Sequence, residues 1–170
     1  MNFKFYKSIP PTKQLQKEIY VIISNNFSSH IPHPTSHILL LRPKDLAVGI
    51  GCDRGVKLKE VESAYLETFK KWDVSLLSVR NLASIDVKNN EKGLLGFAKK
   101  YHLKIDFYSK DELADMPLPS GFSKFVMGKV GVGGVCEPAA LKSAGTKNIW
   151  IKKQKIGRVT IAAAKVPFAL

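Results

Sequence analysis

Asp86, Lys88 and Glu91 fall within six positions of one another, directly after an apolar run. A carboxylate beside a lysine can work as an acid/base pair, and the lysine can steady a developing negative charge. Glu137 adds a third carboxylate just ahead of Pro138. Each of these glutamates also sits where a helix would begin, and the positive end of a helix stabilises an acid there without any catalysis. Cys52 and Cys136 each follow a glycine-containing stretch. As thiolates they could be nucleophiles or soft metal ligands; as thiols they are small packed side chains. They are the only two cysteines, and no CxxC or Cys/His spacing accompanies them, so a structural zinc site is not expected. His30, His33 and His37 have a spacing that could ligate a metal on a helix, but Pro32 and Pro34 interrupt any such helix, so no metal site is expected. No HExxH motif and no Ser/His/Asp order are present.

Three glycine-bearing loops could hold an anion: GIGCDRG (49–55), ASIDVKNNEKG (83–93) and GVGGVCEP (131–138). A dinucleotide loop needs G-x-G-x-x-G. The third glycine is replaced by Arg54 when the count starts at Gly49, and by Cys136 when it starts at Gly131. Lys129 follows Gly128, but Val130 stands where a Walker A loop has Ser or Thr. The loops therefore fail the nucleotide motifs and stand as candidate sites for some other anion. The candidate binding residues are Gly49, Gly51, Cys52, Arg54, Ser84, Gly131, Gly133, Gly134 and Cys136. Helix amino ends behind these loops would offer N–H groups to anions.

The elements that must position these residues follow from the apolar pattern. LAVGIG (46–51) is a continuous apolar run, as in a buried parallel strand. Leu58, Val61, Tyr65, Phe69 and Trp72 then recur at helical spacing. A strand is expected over 74–85, a helix over 91–101, a short strand over 104–109 and one or two helical turns over 110–116. Pro138 suits a first helical turn and Gly145 the position just past its end, so a third helix is expected between them. NIWIKKQK and GRVTIAAAKV read as a hairpin turning near Ile156 and Gly157. The expected fold class is α/β: a three-layer α/β/α sandwich on a mixed, mostly parallel sheet ending in a β-hairpin. In such sheets ligands bind at the carboxyl ends of the strands. Residues 1–45 read as an N-terminal appendage holding a strand at 18–24 and the ILLLRP run, and residues 46–170 as the main domain.

The chain has 170 residues and a formal charge of +13. Arg42, Arg54, Arg80 and Arg158 are the only arginines among 27 basic residues; the rest are lysines spread along the chain. That pattern is a lysine-rich surface or a field for an anionic small molecule. Nucleic acid ranks below both, because arginine forks and the known reader motifs are missing. No apolar run reaches the ~20 residues of a membrane helix, and the first residues lack a signal-peptide pattern, so a cytoplasmic protein is expected.

Four segments, in this order, resemble one family. They are RPKDLAVGIGCDRG, NLASIDVKNNEKGLLGFAKKY, PSGFSKFVMGKVGVGGVCEPAALKSAG and IKKQKIGRVTIAAAK, spanning about residues 42–165. Together they are similar to the C-terminal domain of the cobalamin biosynthesis protein CbiG, the domain that stands alone as CobE. CbiG is cobalt-precorrin-5A hydrolase: it opens a δ-lactone on a cobalt-corrinoid and releases acetaldehyde, giving cobalt-precorrin-5B. The resemblance implies an anionic cobalt-corrinoid partner, no cofactor beyond the cobalt the substrate carries, and no membrane partner. For such a reaction this chain's own residues offer Asp86, Glu91 and Glu137 as candidates to orient water and Lys88 to stabilise negative charge. A complete CbiG carries further domains ahead of this one, and residues 1–42 could cover only the end of the central one. The resemblance therefore leaves open a hydrolase, a non-catalytic CobE-like corrinoid-binding protein, or a partner of a separately encoded N-terminal part or of other cobalamin-pathway enzymes. Outside the resemblance, a basic anion- or nucleic-acid-binding α/β domain remains the alternative.

Overall fold

The computed structural model describes residues 20–26 and 38–167. The histidine cluster at 30, 33 and 37 lies outside them. Two short strands, β1 (Tyr20–Ile23) and β2 (Ile38–Leu41), pair in parallel as a separate two-stranded sheet. Asn25 ties this region to the main domain: its side-chain amide donates to Asp45 Oδ1 at 2.6 Å, and its carbonyl accepts from Ser75 N–H at 2.7 Å.

The main sheet has five strands in the order β5-β4-β3-β7-β6, where β3 is Leu46–Cys52, β4 Val79–Ile85, β5 Ile105–Tyr108, β6 Ile149–Ile156 and β7 Val159–Lys165. β3, β4 and β5 pair in parallel, and β7 is antiparallel to both of its neighbours. Four of the five strands therefore point the same way, with the hairpin β6–β7 at one side. This is the expected mixed, mostly parallel sheet.

Its two faces differ in side-chain size, and that difference sets the layers. One face carries Leu46, Val48, Ile50, Leu82 and Ile161. It is covered by α1 (Leu58–Lys71) and α2 (Lys92–Lys100), whose Tyr65, Phe69 and Phe97 rings stack and tilt against one another at centroid distances of 4.4 and 5.0 Å. α1 is set by its buried Val61, Ala64, Tyr65 and Phe69 stripe, by Glu60 reaching back to the Lys57 N–H at 2.8 Å, and by lysines in its last turn. The opposite face is built from small residues, Ala47, Gly49, Ala83 and Ala164, and carries α5 (Cys136–Ala144). A methyl group on Gly49 would lie 1.8 Å from the Cys136 carbonyl oxygen, so only glycine lets α5 sit this close. Gly145 ends α5 in the left-handed conformation, at φ 66°.

Two expectations are corrected. Residues 74–78 are not strand: a 3-10 turn at Leu76–Ser78 precedes β4. After α3 (Lys110–Ala114) comes a helix the apolar pattern does not announce, α4 (Lys124–Val130). None of its residues is fully buried; only Val126 and Val130, one turn apart, pack partly against the core, too short a stripe to read as a period.

Candidate functional site

The strand directions bring the ends of β3, β4 and β6 to one edge of the sheet. Cys52 on β3 pairs with Val159 on β7, which pairs with Ile156 on β6, so the hairpin turn at Gly157 and Arg158 lies beside the loop after β3. α5 runs opposite to β3 and starts at this edge, where Cys136 N lies beside Gly51. A cavity of about 680 Å³ opens there, within the range of small-molecule sites. Its walls are the loop after β3, the turn after β4, the start of α5, the β6–β7 hairpin and the segment carrying α4.

The lining is strongly cationic. Among the described residues, Arg54, Lys88, Lys129, Lys153, Lys155 and Arg158 contribute to it, against two carboxylates, Asp53 and Glu137. Arg158 is held by the Arg54 carbonyl and lies 3.7 Å from Asp53 and 3.6 Å from Glu60. Lys88 is only 6% exposed, in the 3-10 turn that follows β4, and its Nζ lies 3.9 Å from Glu91 Oε2. The other Glu91 oxygen accepts the Gly55 N–H at 2.9 Å, which ties the loop after β3 to the start of α2. Gly93 packs under the Val56 carbonyl at the same junction.

Glu137 is 2% exposed, and both of its oxygens are engaged. Oε1 accepts from Ser120 Oγ at 2.7 Å and from Lys153 N–H at 3.0 Å, and Oε2 accepts from Ser120 N–H at 3.1 Å. One carboxylate thus fastens the loop ahead of α4 and strand β6 to the first turn of α5. Both cysteines line the cavity wall, and burial pushes each thiol up to about 11, so both are neutral thiols near pH 7. Cys136 also engages the Thr160 side chain, and the Thr160 hydroxyl donates to the Gly51 carbonyl at 3.2 Å.

Of the residues singled out in the sequence, Gly51, Cys52, Arg54, Lys88, Gly134, Cys136 and Glu137 meet at this cavity. The others do not line it. Asp86 is exposed beside it, and Glu91 stands behind Lys88. Ser84 is fully buried and donates to the Ile50 carbonyl at 2.7 Å. Gly49 serves the contact with α5; Gly131 ends α4 at φ 74°, and Gly133 lies against Leu118 and Phe122. Residues not singled out also reach the cavity: Asp53, Lys129, Lys153, Lys155 and Arg158. The signal for the hairpin cations is topological. Once β7 pairs antiparallel to β3, the turn that joins it to β6 must fall at the ligand edge.

Comparison with known proteins bears on the fold and the family. The family model described as Cobalamin synthesis G C-terminus matches residues 46–164. A cobalt-precorrin-5A hydrolase of Priestia megaterium is 32% identical over 168 residues, covering 98% of this chain and 45% of that protein. The chain thus spans about half the length of such curated relatives. Protein CobE of a Sinorhizobium species is 28% identical over 126 residues, covering 74% of this chain and 82% of that protein. The crystal structure of CobE, a protein from the cobalamin biosynthetic pathway, superposes with a TM-score of 0.65 at 29% identity, covering 81% of this chain and 96% of that one. Sequence, fold and relatives agree that this chain belongs to the CbiG C-terminal, CobE-like family of cobalamin-biosynthesis proteins.

Proposed function

We propose that this chain binds the anionic cobalt-corrinoid cobalt-precorrin-5A at the carboxyl edge of its sheet and serves the hydrolytic opening of the substrate's δ-lactone. The observation that carries the reading is the cavity's charge: six cationic side chains against two carboxylates, in about 680 Å³. A corrinoid intermediate carries acetate and propionate arms around a flat ring, and clustered lysines and arginines meet such arms with charge-assisted hydrogen bonds. Hydrolysis adds water across the lactone C–O bond, and the freed alcohol then leaves as acetaldehyde as its carbon–carbon bond to the ring breaks and the ring carbon takes up a proton. It needs a donor for the carbonyl oxygen as negative charge develops, and a base for the water proton. Lys88, buried in the cavity wall and steadied by Glu91, supplies the donor. Glu137 and Asp53 are the carboxylates at the cavity, and Asp86 and Glu91 lie next to it. The cobalt belongs to the substrate, and no cofactor of the protein's own enters the scheme.

A second reading, a CobE-like corrinoid-binding module without turnover, is favoured by one observation. Glu137 spends both oxygens on Ser120 and Lys153, which leaves it a poor water-activating base. One experiment tests both readings: incubation with cobalt-precorrin-5A, followed by visible absorbance and by acetaldehyde assay. A spectral shift with acetaldehyde release supports the hydrolase. A shift without acetaldehyde, in the chain alone, moves the assignment to the binding module. An unchanged spectrum at low salt overturns both. If acetaldehyde is released, Asp86→Asn, Glu91→Gln and Glu137→Gln identify the acid used; full activity in all three would remove these residues from the chemistry.

A further inference from the structure

α4 is an unusual piece of this fold. It buries no residue fully, yet Ser123, Phe125, Val126, Lys129 and Val130 from its segment form one wall of the cavity. Phe125 is 64% exposed, a poor arrangement for a large ring unless something covers it. Lys129 Nζ lies 4.6 Å from the centre of the Phe125 ring, so one surface offers an aromatic face and a cation together. The segment is fastened rather than loose. Ser123 N–H donates to the Gly133 carbonyl at 2.8 Å, Ser120 is held by Glu137, and Leu118 and Phe122 rest on Gly133. Turns at Gly121 and Gly131, both with positive φ, bracket α4 and aim it across the cavity mouth.

We infer that α4 is the specificity surface of the site: Phe125, with Val126, takes the apolar face of a flat macrocycle, while Lys129 takes a carboxylate on the arms at its rim. The inference rests on the corrinoid-binding reading and deepens it. The occupant follows from two features on one surface. The exposed apolar group is continuous with a cavity, which calls for an apolar ligand surface, and the surrounding charge is positive, which calls for anionic edges. A large ring with carboxylated arms satisfies both; a small anion such as phosphate leaves Phe125 uncovered.

The test uses two corrinoid probes: cobyrinic acid, whose arms end in carboxylates, and cobinamide, whose arms are amides. Binding of each is followed by absorbance for the wild type, Phe125→Ala and Lys129→Ala. Because Phe125 and Lys129 are both exposed, both variants are expected to fold with unchanged thermal stability. Phe125→Ala should weaken both probes by about tenfold, since the ring is common to them. Lys129→Ala should weaken cobyrinic acid by about threefold at low salt and leave cobinamide unchanged. A wild type that binds both probes while the variants bind as tightly would overturn the role of α4 and leave the corrinoid reading standing. A wild type that binds neither probe would sink that reading and this inference with it.

Discussion

Lys88 and Glu91 gain their meaning from burial. A lysine and a glutamate three positions apart on a surface would contribute almost nothing. Here both are over nine-tenths covered, 3.9 Å apart, with the Gly55 amide on the second glutamate oxygen. Lys88→Met should abolish tight binding of an acidic corrinoid and also destabilise the fold by about 2 kcal/mol, because Glu91 loses its counter-charge. Chemical denaturation of Lys88→Met beside Lys88→Met/Glu91→Gln separates the two effects: the glutamine keeps an acceptor for the Gly55 N–H and removes the unpaired charge, so stability should largely return in the double variant, and binding should not. The cysteines allow a second check. Burial raises both thiols from about 9 to about 11, so the folded protein holds their protons where the unfolded chain has begun to lose them. Stability is therefore complete below about pH 9 and falls as the pH climbs toward 11. Alkylation of Cys52 by iodoacetamide should be slow at pH 8 and rise with a midpoint near 11; a midpoint below 9 would show a reactive thiolate and reopen a nucleophilic role.

At the scale of elements, legibility follows whether an element buries a face. α1 and α2 were plain in the sequence because their apolar residues recur every three or four positions against the large-residue face of the sheet. α5 was legible from its ends, Pro138 and Gly145, although nearly all of it is buried and it shows little periodicity. α4 is silent because it is seven residues long and only Val126 and Val130 rest partly on the core. Glu137 looked like an ordinary helix-start acid because its partners, Ser120 and Lys153, lie 17 residues before and 16 after it, beyond any local pattern. The glycines were visible as a cluster, but their separate duties were not. Gly49 and Gly93 face backbone carbonyl oxygens that a methyl group would strike at 1.8 and 2.1 Å. Gly49→Ala and Gly93→Ala should each cost about 3 kcal/mol, since a helix must lift off its neighbour to make room. Gly128→Ala, with open space around it, should leave stability within about 0.5 kcal/mol of the wild type. Urea unfolding midpoints for the three variants give the comparison, and equal losses in all three would contradict the close approach of α5 to β3.

For the whole molecule, the question is what a charge of +13 is for. Composition alone allowed a solvated surface, an anionic ligand or nucleic acid. The fold shows where part of that charge is concentrated. Lys70 and Lys71 end α1, away from the ligand edge, whereas Lys153, Lys155 and Arg158 ride the hairpin into the cavity wall beside Lys88 and Arg54. A concave wall of one sign focuses the field on its contents, while a dispersed surface charge is screened within about 8 Å at physiological salt. If binding draws on the cavity, Lys153→Ala should weaken cobyrinic acid by about fivefold at low ionic strength, and Lys70→Ala/Lys71→Ala should leave it unchanged. If binding draws on net charge alone, the double variant, which removes two charges, would lose more affinity than Lys153→Ala, which removes one, and duplex DNA would compete with the corrinoid. Titration of the three proteins at 50 and 500 mM salt, with and without DNA, distinguishes these cases. The focused-field account requires that Lys153→Ala be the variant that loses affinity and that DNA not displace the ligand; the reverse pattern would return the protein to the class of general polyanion binders.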